Sequence, residues 1–382
     1  MIIYCQNCLL PATKPDLFLN DKGKCAACVS FDNRLNINWT QREKEFSQII
    51  NEVKQKSHNN WDCVIPVSGG KDSTAQVLRA LEYELKPLCV TSTTCDLSPL
   101  GKRNIDNIKN LGVDYIEVSP NPSIRSKLNK FCLEQIGDIS WPEHVGIFTI
   151  PIKIAVQYKI PLILWGENSQ NEYGGPLKAS QSKNLDRRWL EEFGGLLGLR
   201  VSDLTAIHGF DERDLIYYQY PDINEINKLG LQGIFLGYFF PWDGVSNFLI
   251  SQANGFTSYD KIVEGSIVSY ENIDNFQTGI HDYFKFLKYG FGRATDIASA
   301  FIRRGIISRD QGLSLVKKYD GQYPSSYLGK DLATILSKIN LTVSEFDQIC
   351  DRFTNYKLFK KDLTGQLIFD AFNKLSRVND DN

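Results

Sequence analysis

The sequence predicts an α/β fold: a doubly wound parallel sheet, with a small cysteine-rich module before it and a mostly helical region after it. Three observations carry this prediction. Apolar runs of strand length alternate with helical patterns between residues 61 and 250. Two Cys-x2-Cys pairs stand ahead of the first strand. Two capping-box patterns, Ser308-x-x-Gln311 and Thr342-x-x-Glu345, stand in the last third. The expected division is therefore 1–35 for the cysteine module, 36–60 for a linking helix, 61–250 for the sheet domain and 251–382 for the helical region.

Composition sets the outer limits. The chain has 382 residues, 42% hydrophobic and 23% charged, as in ordinary globular proteins. Its net charge of −2 offers no global basic field for nucleic acid. No apolar run approaches the roughly 18–20 residues of a membrane span. The start, Met1-Ile2-Ile3-Tyr4-Cys5, lacks the basic region and apolar core of a signal peptide. A cytoplasmic location is expected, where nine cysteines point to metal binding before disulfides.

Cys5-x2-Cys8 and Cys25-x2-Cys28 are separated by sixteen residues, the spacing of a four-thiolate zinc site. Each pair can place two sulfurs on one ion, and two pairs complete a tetrahedron. Asn20-Asp21-Lys22-Gly23 between them suggests a hairpin turn. A module this short has little core, so the expected Zn²⁺ is structural and supplies stability. Residues 39–56 read as a charged helix with an apolar face of Phe46, Ile49, Ile50 and Val53.

The chain is organised around Val64-Ile65-Pro66-Val67-Ser68-Gly69-Gly70-Lys71-Asp72-Ser73-Thr74. A buried-strand run ends in two glycines, and a helical pattern follows from Ser73 to Glu84. Strand, glycine turn and helix start form an anion site, because N–H groups and the helix dipole face outward. It is not a Walker A loop: Ile65 stands where that motif has its first Gly, and Asp72 follows Gly70-Lys71.

Further strands are expected at 86–91, 113–118, 161–166 and 234–240. Helices are expected at 100–111, capped by Ser98, at 122–136 and at 147–159. Ligands in such sheets bind outside the carboxyl ends of the strands. Ser68–Ser73, Thr91–Asp96 and Gly166–Gly175 converge there. Glu167 and Glu172 can hold Mg²⁺ or orient a sugar. His144, in Trp141-Pro142-Glu143-His144, can line the same mouth or be structural. Residues 176–220 read as a substrate-covering insertion. Lys288, Arg293, Arg303 and Arg304 surround Gly290-Phe291-Gly292-Arg293; they fit a solvated helix face as well as a triphosphate site.

Ser-Gly-Gly-Lys-Asp-Ser resembles the PP-loop of ATP pyrophosphatases, which have an adenine nucleotide alpha hydrolase-like fold. With the four cysteines, Trp-Gly-Glu-Asn and Glu-Tyr-Gly-Gly, Leu-Gly-Tyr-Phe-Phe-Pro-Trp-Asp, and Lys-Phe-Leu-Lys-Tyr-Gly-Phe-Gly-Arg-Ala-Thr-Asp, the chain resembles N-acetyl sugar amidotransferases of bacterial surface-polysaccharide and LPS O-antigen synthesis. The resemblance runs from residue 4 to about 325. Ile297 stands where that family often has His, and no role is assigned to it.

The resemblance implies a reaction. ATP adenylates an acetamido oxygen and releases pyrophosphate; ammonia then displaces AMP and leaves an acetamidino group. The implied ATP contacts are Ser68, Gly69, Gly70, Lys71, Asp72, Ser73 and Thr74, with Thr91, Gly166, Lys288 and Arg293. Lys71, Asp72, Glu167 and Glu172 are the expected catalytic groups. Asn168, Asn171, Tyr173 and Trp242 are expected to meet the substrate, a nucleotide-linked N-acetylated sugar or a nonulosonate. Mg²⁺ and structural Zn²⁺ are the expected cofactors. Cys63, Cys89, Cys95, Cys132 and Cys350 form no Cys-His glutaminase constellation, so ammonia is expected from solution or from a separate glutaminase; the resemblance implies a glutaminase–cyclase-like partner. The alternative is a PP-loop enzyme acting on tRNA; the net charge and the lack of a second close cysteine pair weigh against it.

Overall fold

The computed structural model describes residues 2–56, 60–176, 182–185 and 196–378. Five strands form its main sheet: β1 (Cys63–Pro66), β2 (Pro87–Ser92), β3 (Asp114–Val118), β4 (Leu162–Trp165) and β5 (Gln232–Phe235). Their order is β3-β2-β1-β4-β5, and every neighbouring pair is parallel. The central strands are short aliphatic runs buried on both faces, as parallel sheets require. One layer of helices packs through Phe46, Ile50, Val77, Ala80 and Ile108. The opposite layer packs through Ile150, Ile152, Ile154 and Ala155. From β1 the chain winds outward to β2 and β3, and from β4 outward to β5. The order therefore reverses between β1 and β4, which pair with Val64 opposite Ile163. A crevice opens at the carboxyl ends of strands at such a reversal.

Local chemistry explains most boundaries. Ser98 caps the helix Pro99–Asn110 by accepting from the Gly101 N–H at 2.8 Å. The helix expected from residue 147 begins at Trp141, because Pro142 occupies its first turn and Trp141 and Val145 are buried against Leu128 and Tyr218. The strand expected over 234–240 stops at Phe235. A helical turn, Leu236–Phe239, takes over because Leu236 and Phe239, three apart, both bury in the core. The expected covering insertion falls partly outside the described residues; in its described part Leu199, Leu204, Leu215 and Tyr218 pack against Ile124 and Leu128.

Beyond β5 the helix Gly244–Ala253 lies along the helix Lys71–Glu82, where the Ser251 hydroxyl donates to the Lys71 carbonyl at 2.6 Å. The chain then crosses the sheet edge, with Leu97 bridged to Asn275. Helices Thr278–Tyr289, Arg293–Arg303, Arg309–Tyr319, Leu332–Ser337 and Val343–Phe353 follow. Both expected capping boxes are formed, at Ser308–Gln311 and Thr342–Glu345. Phe284, Phe286, Leu332, Leu336 and Phe346 make the core of this region, and Ile2, Leu133 and Ile139 join it. The cysteine module carries bridges Tyr4↔Pro11 and Leu19↔Cys25. Among the described residues no helix is long and apolar enough to cross a membrane.

Candidate active site and metal centre

The four N-terminal cysteines are buried, and their sulfurs all lie within 4.8 Å of one another. Cys5 Sγ is 3.8 Å from Cys28 Sγ, and Cys8 Sγ is 3.6 Å from Cys25 Sγ. The Cys25 N–H donates to Cys5 Sγ at 3.2 Å, and Asn7 Nδ2 to Cys28 Sγ at 3.3 Å. Such donors favour thiolate ligands. The set fits one tetrahedral Zn²⁺.

This module is fastened to the rest of the chain. The Leu9 N–H donates to Ser299 Oγ at 3.2 Å, and Thr13 Oγ1 to the Tyr289 carbonyl at 2.6 Å. Arg303 bridges it to the loop after β4: Nη1 lies 4.0 Å from Cys8 Sγ, and Nη2 donates to the Glu172 carbonyl at 2.8 Å. A Cβ on Gly174 would meet Leu17 at 2.6 Å, so that loop lies directly on the module.

The glycine loop leaves β1 at the sheet's point of reversal. Gly69 has φ +84°, and a Cβ there would meet the Ile105 nitrogen at 2.8 Å; only glycine satisfies both conditions. Gly70 caps the helix Lys71–Glu82. Ser68, Gly69, Gly70 and Ser73 line a cavity of about 120 Å³ at this helix start. Lys71, only 4% exposed, reaches Asp72 at 2.5 Å and Glu271 at 2.8 Å. Burial opposes its charge, but the two carboxylates outweigh burial and hold its pKa well above the ordinary lysine value. Asn247 Nδ2 donates to the other Asp72 oxygen at 2.8 Å. Glu271, Asn247 and Tyr270 were not legible in the sequence; they come from distant segments, and no local pattern marks them.

A second cavity, about 60 Å³, adjoins the first and shares Lys71, Asp72, Tyr270 and Glu271 with it. Glu167 and Trp242 line it, as do Arg303 and Arg304. Burial and the nearby Asp72 carboxylate push the Glu167 pKa up to about 7. Gly166 lies against the Trp242 ring, where a Cβ would come within 3.1 Å.

Other expected site residues have different partners. Glu172 lines the second cavity, but its carboxylate is held by Arg34 and by Arg304, the latter at 3.0 Å. Its geometry is that of a clamp between the module and the sheet, and its oxygens are already engaged. Asn168 caps the short helix Ser169–Tyr173 by accepting from the Gln170 N–H, and Asn171 lies within that helix. Tyr173 faces the second cavity and a larger third one. The Thr91 hydroxyl donates to the Val67 carbonyl at 2.5 Å and is buried, and the Thr74 hydroxyl donates to the Gly70 carbonyl at 3.1 Å. Both threonines brace the loop from behind.

Lys288 and Arg293 do not line the glycine-loop cavity. Lys288 faces the third cavity, and Arg293 is paired with Asp282 at 3.0 Å. The cations beside the loop are instead Arg303 and Arg304. His144 lies in the third cavity, where Asp138 Oδ1 sits 2.8 Å from His281 Nδ1.

Residues 254–375 match the family described as "LPS biosynthesis protein WbpG-like, C-terminal domain". The C-terminal third is thus similar to a domain of LPS biosynthesis proteins. A search of curated proteins finds no match. Among solved structures, an NMN synthetase from Francisella tularensis aligns at 14% identity and a TM-score of 0.29, over 51% of this chain and 93% of that one. An NH3-dependent NAD synthetase from Campylobacter jejuni aligns at 13% identity and a TM-score of 0.28, over 60% of this chain and 100% of that one.

Proposed function

We propose that this protein is an ATP-dependent, AMP-forming amidotransferase that converts the acetamido group of an N-acetylated bacterial sugar to an acetamidino group. One observation carries the reading. The Ser68–Ser73 loop, a glycine turn and helix start of the kind that suits phosphate, lines a cavity at the reversal of the sheet that adjoins the pocket of Glu167, Arg303 and Arg304, in a chain whose C-terminal third is similar to a WbpG-like domain.

The chemistry follows from the substrate. An amide carbonyl is a poor electrophile, and its oxygen a poor leaving group. In the proposed reaction the amide oxygen attacks the α-phosphorus of ATP, and the bond to the β-phosphate breaks. Ammonia then attacks the activated carbon, the C–O bond breaks, and AMP leaves. Ammonia would come from solution or from a glutaminase–cyclase-like partner. The loop N–H groups and Lys71 would stabilise charge on the phosphates, and Arg303 and Arg304, held by Glu172 and Asp243, would add positive potential to the adjoining pocket. Glu167, whose pKa is near neutrality, would accept a proton from the attacking nitrogen.

Asp72 and Glu271 offer hard oxygen donors suited to Mg²⁺, which is usually held by one or two carboxylates and the phosphates themselves. When bound, Mg²⁺ would neutralise charge on the leaving pyrophosphate. Zn²⁺ on Cys5, Cys8, Cys25 and Cys28 would be structural, since four thiolates leave no open position.

Mass spectrometry of candidate acetamido sugars incubated with ATP and ammonium tests the reaction. The product should be lighter by the difference between O and NH, and should carry a cationic amidinium that shifts it on ion exchange. A sugar recovered unchanged while AMP accumulates would refute the proposed acceptor.

A further inference from the structure

The third cavity, about 510 Å³, has no task in the ATP chemistry. Its wall is built from separate segments: Lys14 of the cysteine module, Asp138 and His144, Tyr173 of the loop after β4, and His281 and Lys288 of the helix Thr278–Tyr289. It adjoins the pocket beside the glycine loop, and Tyr173 and Asp296 line both.

Most charges in this wall are matched. Lys285 pairs with Asp296, Arg293 with Asp282, and His281 with Asp138. Lys14 and Lys288 differ. Among the described residues Lys14 Nζ donates to carbonyl oxygens, of Pro15 at 3.4 Å and Gly174 at 3.3 Å. Lys288 Nζ likewise meets the Ile136 carbonyl at 3.3 Å. Among the described residues neither ammonium has a carboxylate partner. Burial draws both pKa values below the ordinary lysine value, and outweighs the opposing pull of Asp296 and Asp16 on Lys14 and of Asp138 on Lys288. Both lysines line this cavity, and Thr13 Oγ1, donating to the Tyr289 carbonyl at 2.6 Å, ties the segment that carries Lys14 to the helix end that carries Lys288.

We propose that Lys14 and Lys288 form an anion subsite that takes an acidic group of the sugar substrate, while its acetamido group reaches past Tyr173 and Asp296 toward Lys71 and Glu167. The shared chemistry is a carboxylate or phosphate oxygen: either the carboxylate of an acidic sugar or a phosphate of a nucleotide carrier. This assignment rests on the sugar reading above. It also gives the cysteine module a part in binding, since Lys14 belongs to that module.

Calorimetric titration of the full chain tests it with three probes: N-acetylneuraminate (carboxylate, no phosphate), UDP-N-acetylglucosamine (diphosphate, no carboxylate) and free N-acetylglucosamine (neither). At least one anionic probe should bind much more tightly than the neutral one, and which one binds identifies the acidic group. Lys14→Gln with Lys288→Gln should weaken that probe by about tenfold or more, whereas Lys288→Arg should keep most of the affinity. ATP affinity should stay unchanged in the same variants. Equal binding of all three probes would overturn the proposal, and so would lysine variants with unaltered anion affinity. A matching loss of ATP affinity would place both lysines on the triphosphate and overturn it too. The two readings fail separately. If anion binding depends on the lysines but no acetamido sugar drives AMP formation, the reaction is wrong and the subsite stands. If AMP forms and the lysines are indifferent, the subsite alone is wrong.

Discussion

The glycine loop and the cysteine module are both short and both set by glycines or cysteines at fixed spacing, but the loop lines the pocket itself while the module packs behind the Glu172–Gly174 segment. The loop is rigid because of the sheet beneath it: Val67, Thr91 and Thr74 brace it, and Gly69 packs against Ile105. The module has no sheet beneath it. Its core is four sulfurs with Leu10, Leu17 and Ala27, and it is tied down by Arg303, Arg34 and Thr13. The loop therefore draws its order from β-structure, whereas the module, and the Glu172 segment resting on it, would draw theirs from the proposed Zn²⁺. The loop should survive removal of the metal; the segment from Asn168 to Gly175 should not.

The largest expected effect breaks that comparison at the metal. Structural zinc contributes on the order of 10 kcal/mol to folding of small modules. Cys25→Ser should lose the ion and lower the melting temperature. Hydrogen exchange should then speed up in Ala26–Asn33 and Ser169–Tyr173 and stay slow in β1. Fast exchange in all three would mean that the halves are not separately supported.

Next is the loop itself. Asp72→Asn should reduce AMP formation by about 10²–10³-fold, the scale of losing one charge-positioning group in a preorganised site. Its melting temperature should fall modestly, because buried Lys71 loses one of its two carboxylates while Glu271 and the Asn247 contact remain. A variant with full turnover would remove Asp72 from the chemistry.

Glu172 sharpens the contrast. Opening a nearly buried ion pair leaves its partners uncompensated and costs about 3 kcal/mol. Glu172→Gln should therefore destabilise the chain by roughly that amount, in urea unfolding, and raise KM more than it lowers kcat. Lost turnover with unchanged stability would return Glu172 to the catalytic set.

The smallest effect concerns Glu167. Its folded pKa lies above the unfolded one, so the folded state holds the proton more tightly. Stability is then greatest below the unfolded pKa and falls as pH rises toward about 7. Glu167→Gln removes that loss. From pH 5 to 8 the variant should gain about 1 kcal/mol on the parent, after discounting for solvent around a half-buried group. Parallel pH profiles would show that Glu167 is not shifted.

What could be read in the sequence follows the same division. The strands, the loop and the cysteine set lie within short windows, so spacing and apolar pattern reveal them. Ser98, Ser308 and Thr342 announce their helices for the same reason. The partners of the loop do not: Asn247 and Glu271 reach Asp72 and Lys71 only through packing of distant segments. The run from Ile234 to Phe240 is apolar throughout, so its period cannot tell a strand from the strand-to-helix switch that occurs at Leu236. Lys288 and Arg293 looked like loop cations because they cluster with Arg303 and Arg304. Lys288 lies on the preceding helix, Thr278–Tyr289, and Arg293 and Arg303 stand at opposite ends of the next one, so closeness in sequence does not put all four beside the loop; Arg303 and Arg304 line the pocket next to it.

The central claim is that the Ser68–Ser73 loop directs cleavage between the α and β phosphates of ATP. Phosphorus NMR of the purified chain with ATP, Mg²⁺, ammonium and an acetamido sugar measures this directly. AMP and pyrophosphate should appear in equal amounts, only when the sugar is present, and should vanish in Asp72→Asn. ADP and inorganic phosphate as the sugar-dependent products would contradict the account.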